Sequence, residues 1–107
     1  MTRFPCPYLG AGVELSDERE RHIAETHPEL LPDHMDRIGD TLADPDHVRL
    51  SKHFGNARLF AKWYDDLRGK HLVVVVVSEA RPRGRNWIVT AYVTSKIAEG
   101  DSEWKRN

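Results

Sequence analysis

Two of the six histidines in this 107-residue chain stand close together in the string HIAETHPEL and could carry proton-transfer chemistry. Histidine titrates near neutral pH, so an imidazole can accept or donate a proton during hydrolysis or phosphodiester transesterification. The spacing of His22 and His27 rotates them roughly 140° apart around a helix, onto different faces. We therefore expect His22 either to act alone as an acid or base or to be an ordinary surface histidine, while His27 is either catalytic or stabilised by the helix dipole.

The same spacing argues against a metal site. Joint ligation by His22 and His27 is disfavoured, and the sequence has no paired-cysteine motif and no His-Glu-x-x-His motif. A metal hydrolase built from several histidines would need about three ligand side chains around one point. We therefore predict no metal and no cofactor.

A second group of residues combines cations, hydroxyls and aromatic rings on two predicted strands. Its members are Arg58, Lys62 and Tyr64 on one strand and Thr90, Tyr92 and Thr94 on the last, followed by Lys96. If both strands point these side chains the same way, they converge on one surface that suits a phosphate. The alternative is the ordinary polar face of a half-solvated antiparallel sheet, where Thr and Tyr are favoured for packing.

The string RPRGR adds a basic turn, whose Arg83 and Arg85 either contact a nucleic-acid backbone or are simply solvated. The tryptophans favour a different role. Trp63 and Trp87 share the strand faces that carry the alternating aliphatic residues, so we interpret both as core residues and not as base-stacking platforms.

Length and composition indicate a single domain, residues 1–107. Hydrophobic residues make up 39% and charged residues 31%, which predicts a thin core under a solvated surface. The formal net charge of -1 means that any basic surface must be local, since strong phosphate-backbone binders are usually basic overall. The single cysteine, Cys6, and the lack of a secretory signal or a membrane-spanning apolar run predict a cytoplasmic protein with no membrane role.

Two helices are expected after an irregular N-terminal arm, residues 1–12, which is rich in proline and glycine. Ser16 precedes three acidic residues, the pattern of a capped helix start, and this helix runs to about Thr26. Pro32 starts a second helix, which Asp44-Pro45 ends. The apolar stripe of the second helix must face the core, and consists of Leu31, Met35, Ile38 and Leu42.

A two-residue period of apolar side chains then predicts strands over 47–51, 57–64 and 86–94, and a continuous apolar run predicts a strand over 72–77; a frayed polar tail, 99–107, follows the last strand. Leu72 to Val77 lacks polar alternation and should be central or covered on both faces. This order predicts an α+β fold, with two N-terminal helices packed on one side of a four-stranded antiparallel β-meander. The other side of the sheet is free to bind a ligand.

Several strings occur in an order that resembles a known superfamily. They are HIAETHPEL, then a helix, DPDHVRLS, LFAKWY, LVVVVV and WIVTAYVTSK, spanning about Val13 to Lys96. In this order they resemble the phage-associated members of the barnase, EndoU, colicin and RelE-like (BECR) nuclease superfamily. The resemblance implies a RelE- or barnase-like fold and a metal-independent endoribonuclease site assembled from the first helix and the sheet.

Position by position, the resemblance makes His22 the acid or base, His27 the His-Pro histidine that follows it, and Lys62 the cation that steadies the phosphate. Thr90 and Thr94 match the hydroxyls of the final strand. Such a set supports attack of a ribose 2′-hydroxyl on its neighbouring phosphate without a cofactor.

Two hypotheses follow. The first is an endoribonuclease of toxin or phage-effector type, with RNA as substrate and a cognate inhibitor protein as partner. It requires His22, Lys62 and Thr94 to converge on one phosphate. The second is a catalytically inactive relative that serves as a protein-interaction domain. The sequence sets neither the RNA target nor the oligomeric state.

Overall fold

The computed structural model describes residues 1–52, 56–67, 70–79 and 84–106, which form one sheet with two helices. The elements are β1 (Thr2–Cys6), a 3-10 turn (Pro7–Leu9), β2 (Ala11–Leu15), α1 (Asp17–Thr26), α2 (Met35–Ala43), β3 (His47–Ser51), β4 (Ala57–Tyr64), β5 (Lys70–Ser78), β6 (Asn86–Thr94) and β7 (Gly100–Lys105). Their order in the sheet is β1-β2-β6-β5-β4-β3-β7. β2 is parallel to β6, and the other neighbours are antiparallel.

The predicted four-stranded antiparallel meander is wrong, although the α+β class is right. Strands β3 to β6 are the predicted ones, and β1, β2 and β7 extend them to a seven-stranded mixed sheet within the described residues. The arm 1–12 is not irregular, because β1 pairs with the start of β2 in a hairpin. Pro5 is tolerated in β1 because β1 is an edge strand. The tail is not frayed, because backbone pairing with β3 creates β7 although its side chains are mostly exposed.

Both helices contribute to the main core on one face of the sheet. Ser16 accepts a hydrogen bond from Arg19 N at 3.1 Å, and α1 ends at Thr26 as predicted. The second helix begins at Met35 and not at Pro32, because residues 28–34 form turns instead. The predicted apolar stripe does face the core: Ile38 and Leu42 of α2 are buried and Met35 packs against the core, while Leu31 is buried from the turn that precedes the helix.

Strand β5 occupies the centre of the sheet, between β6 and β4. Alternate residues from Leu72 to Val76 pack in the helix-covered core. Val73 instead joins Leu59 and Ala61 in a smaller cluster on the opposite face, which we call the open face. The prediction that this strand is central in the sheet is therefore confirmed.

The connection from β6 to β7, residues 95–99, crosses the open face. Ile97 packs on the small apolar cluster there, and Arg49 donates hydrogen bonds to the carbonyls of Ile97 and Ala98 at 3.4 and 3.0 Å. From Thr94 to Gly100 the chain can reach at most about 22 Å. On a flat sheet the same corners would lie roughly 28 Å apart, so the twist of the sheet must bring them together.

Gly100, where the crossover enters β7, is predicted to be sensitive to any side chain. A Cβ at this position would collide with the backbone carbonyl of Leu50 in β3, which has no freedom to move aside. We expect Gly100→Ala to lower the free energy of unfolding, measured by urea denaturation, by about 1–3 kcal/mol. Gly12→Ala is the matched control, because its Cβ would meet only the flexible Arg3 side chain. Equal stability of the two variants would contradict the prediction.

Candidate functional site

The predicted phosphate stripe is divided between the two faces of the sheet. Lys62 pairs with Leu72, which faces the helices, and Arg58 and Tyr64 lie on that same face because residues two apart share a side. Thr94 pairs instead with His71 and lies on the open face, together with the side chains of the alternate β6 residues Thr90 and Tyr92. The predicted convergence of Lys62 and Thr94 on one phosphate is therefore wrong.

The cations of that stripe and of the basic turn are largely bound to carboxylates. Arg58 Nε donates to Glu103 at 2.7 Å, Lys62 Nζ to Asp44 at 3.3 Å, and Arg85 donates to both oxygens of Glu14 at 2.9 and 3.2 Å. A phosphate would have to compete with a carboxylate for each of these three side chains. Lys96 is exposed on the crossover, and Arg83 lies outside the described residues.

The remaining predicted residues have local roles in the structure. His22 is exposed on α1, and His27 caps the end of α1 with its ring 6.1 Å from the Tyr92 ring. The Tyr64 hydroxyl donates a hydrogen bond to Arg37 O at 3.2 Å. Thr94 Oγ1 donates a hydrogen bond to Lys96 O at 2.9 Å. Burial raises the pKa of Tyr92, so its phenol keeps its proton at neutral pH. Thr90 lines an apolar pocket on the open face.

Two histidines that the sequence did not single out meet on the open face. His47 of β3 and His71 of β5 line one pocket of about 420 Å³, which we call the histidine pocket. The other residues that line it are Asp46, Arg49, Ala61, Ile97, Lys105 and Arg106. Strands β3 to β5, the crossover and the end of β7 therefore all contribute to one site.

The register of the strands explains how the two imidazoles share this pocket. His47 pairs with Ala61 on β4, and His71 pairs with Trp63, the next residue of β4 on the same face. The methyl group of Ala61 leaves open the space between the two histidines. Each ring is also fixed by a neighbour: His47 Nε2 lies 2.9 Å from Ser102 Oγ, and the His71 ring packs against the Trp63 ring at 4.9 Å.

Of the three cations that line the histidine pocket, one is paired with carboxylates and two are not, within the described residues. Arg106 donates to Asp46 Oδ1 at 3.2 Å and also binds Asp44. Arg49 donates only to backbone carbonyls, and Lys105 has no carboxylate partner within the described residues. Two positive charges are therefore available to an anion in the pocket.

The protonation of His47 reflects this environment. Burial lowers the pKa of His47 below 6.5, and the charges of Arg49, Lys105 and His71 lower it further. The imidazole is therefore neutral at neutral pH and able to accept a proton.

Only one ring nitrogen of His71 is open to a ligand. Its Nδ1 is buried without a hydrogen-bond partner in the described chain, so a ligand must approach Nε2. A neutral imidazole, a second imidazole and two cations suit acid–base chemistry on an anionic substrate.

Comparisons with known proteins do not identify the chain. No protein-family model, no curated protein and no solved structure matches it. In the described ranges, no group of three or more His, Cys, Asp or Glu side chains is arranged to hold a metal ion. Neither described helix is long and apolar enough to cross a membrane.

The sequence carried only a weak signal for the histidine pocket. His47 and Arg49 alternate with the apolar Val48 and Leu50, which places them on one face of β3, but not which face. His71 directly precedes the apolar run that begins at Leu72, and nothing local distinguishes it from an ordinary polar residue at a strand end. Lys105 belongs to a tail without any apolar period, so only its long-range pairing with His47 could have found it.

We predict that His47 titrates below 6.5 in the folded protein, and that Lys105→Gln raises its pKa by removing a nearby positive charge. The midpoint is measured by NMR titration of the imidazole resonances, and added inorganic phosphate should raise it as well. Lys96→Gln is the control, since Lys96 is not among the charges that lower this pKa. A midpoint at or above 6.5 in the wild type would disprove the assignment.

Stability should follow the same titration. Because the pKa of His47 is lower in the folded state than in the unfolded state, the unfolded chain binds more protons between the two values. Neutral His47 therefore makes its full contribution to the free energy of unfolding above about pH 6.5, and this contribution is lost as the pH falls through the pKa of the folded state. We expect His47→Gln to reduce the loss of unfolding free energy between neutral and mildly acidic pH, as measured by urea denaturation. An equal loss in the wild type and in His47→Gln would contradict the prediction.

Proposed function

We propose that this protein is a metal-independent endoribonuclease whose active site is the histidine pocket. The observation that carries the proposal is the presence of two histidines and two cations without carboxylate partners, in the described chain, around one pocket. Cleavage of RNA by transesterification needs a base, an acid and positive charge near the phosphate, and no metal. The resemblance to the BECR nucleases supports the same reaction, although it points to different residues.

In the proposed reaction His47 is the base and His71 the acid. His47 is neutral because of its lowered pKa, and takes the proton of the ribose 2′-hydroxyl as that oxygen attacks the adjacent phosphorus. His71 acts as an imidazolium: it gives its Nε2 proton to the departing 5′-oxygen as the bond from that oxygen to phosphorus breaks, and it becomes neutral. Arg49 and Lys105 stabilise the charge that develops on the phosphate oxygens. The products are a 2′,3′-cyclic phosphate and a 5′-hydroxyl.

The biological setting belongs to the same proposal. A toxin or phage-effector nuclease acts inside a cell and is commonly held in check by a cognate inhibitor protein. An intracellular location is supported by Cys6, which is a buried free cysteine. A negatively charged inhibitor surface placed over Arg49 and Lys105 would block the phosphate site.

Cleavage of a single-stranded RNA in the presence of EDTA tests the proposal. We expect His47→Gln and His71→Gln each to lower kcat/KM roughly 100- to 10,000-fold, the range for loss of a general acid or base. His22→Gln should retain wild-type activity because His22 is exposed on α1 and does not line the pocket. A substrate with deoxyribose at the scissile position should not be cut, since it lacks the attacking hydroxyl.

The variants also separate the competing hypotheses. Loss of activity in His22→Gln with full activity in His47→Gln would return the site to α1, as the sequence resemblance suggests. No cleavage by the wild type, when circular dichroism shows that it is folded, would favour the catalytically inactive protein-interaction domain.

A further inference from the structure

Trp63 is a tryptophan left 46% exposed on the open face, directly beside the histidine pocket. The sequence predicted it to be a core residue, because it shares a strand face with Leu59 and Ala61. Those two residues are buried, but the small cluster that they form ends before Trp63. An apolar ring that the core does not use is therefore presented to solvent next to charged and titratable groups.

The Trp63 ring is held in one orientation. Its Nε1 donates a hydrogen bond to Asp65 Oδ1 at 2.6 Å, and its backbone N donates to Asp46 Oδ2 at 2.8 Å. The His71 ring packs against it at an interplanar angle of 74°. Because the indole N–H already has a partner, a ligand that reaches the exposed part of the ring contacts its aromatic carbon atoms. A fixed ring also loses little conformational entropy when a ligand covers it.

We propose that Trp63 stacks with a nucleobase of the substrate and thereby selects single-stranded RNA; this proposal rests on the endoribonuclease function of the histidine pocket. Bases stack on exposed aromatic rings when they are free of a duplex, and every base has a π face. The contact with His71 places a base on Trp63 beside the imidazole that would protonate the leaving oxygen. The cations Arg49 and Lys105 of the same pocket favour an anionic ligand over an apolar protein surface.

Trp104 is the matched control for this platform. It is 38% exposed, similar to Trp63, but it pairs with Val48 and therefore lies on the helix-covered side of the sheet. Its ring contacts Tyr8 and the guanidinium of Arg106, and it does not line the histidine pocket. Replacement of either tryptophan by leucine removes an exposed indole, but only one replacement should affect RNA.

The test measures binding of an all-deoxy single-stranded oligonucleotide, which lacks the 2′-hydroxyl and so binds without reacting. We expect Trp63→Leu to weaken its affinity roughly 5- to 150-fold, as loss of a stacked base predicts. Trp104→Leu should change it less than twofold. The wild type should bind a strand with abasic positions about as weakly as Trp63→Leu binds the complete strand. Equal binding by Trp63→Leu and wild type, or full affinity for the abasic strand, would overturn the platform.

A cleavage assay keeps the two proposals distinguishable. With RNA as substrate, Trp63→Leu should raise KM more than it lowers kcat, whereas duplex RNA should be a poor substrate for the wild type. If Trp63→Leu matches the wild type in both constants, the platform is wrong while nuclease activity stands. If the wild type does not cleave RNA, the endoribonuclease proposal fails, and the binding titration alone decides on Trp63. Trp63→Phe, which keeps an aromatic ring, should bind with intermediate affinity and guards against a folding defect in the leucine variant.

Discussion

The pairing of β7 with β3 is the interaction on which the candidate site depends. This pairing places Ser102 beside His47 and brings Lys105 and Arg106 to the pocket, while the crossover that leads to it supplies Ile97. Without β7, strand β3 would be an edge strand with unpaired backbone groups, and His47 would lose its hydrogen-bond partner. The crossover is short enough to require a twisted sheet, so the twist, the last strand and the pocket are one structural unit.

The candidate site also depends on which of the nearby cations form ion pairs. Asp44 binds Lys62 and Arg106 together, and these hydrogen bonds lower the pKa of its carboxyl. Asp46 binds Arg106 and the backbone of Trp63. These two carboxylates occupy the cations nearest to them and leave Arg49 and Lys105 to the pocket. A chain with a net charge of -1 thereby acquires the local basic surface that anion binding needs.

The sequence predicted the elements with strong local patterns and failed where long-range pairing decides. The cap at Ser16, the stripe ending at Leu42 and the apolar run of β5 are local signals, and each was found. Strand β7 has no apolar period, and only its pairing with β3 reveals it. The period of two also leaves one binary choice open, namely which face of β4 meets the helices. Phe60 is fully buried in the helix-covered core, and Arg58 and Lys62 lie two residues before and after it on the same face of β4. These two cations therefore lie on the helix-covered face and not on the open face.

This choice of face determines the chemistry of the site. On the helix-covered face Arg58 and Lys62 are partly buried, where an unpaired charge is costly, and each of them is paired with a carboxylate, as in the ion pair of Arg58 with Glu103. On the open face, cations can remain unpaired, and here they act on His47 in two ways. In the free pocket they lower its pKa and keep the imidazole neutral. A bound phosphate would offset these charges, so its arrival would raise the proton affinity of His47 and make it a stronger base when the 2′-hydroxyl is in place.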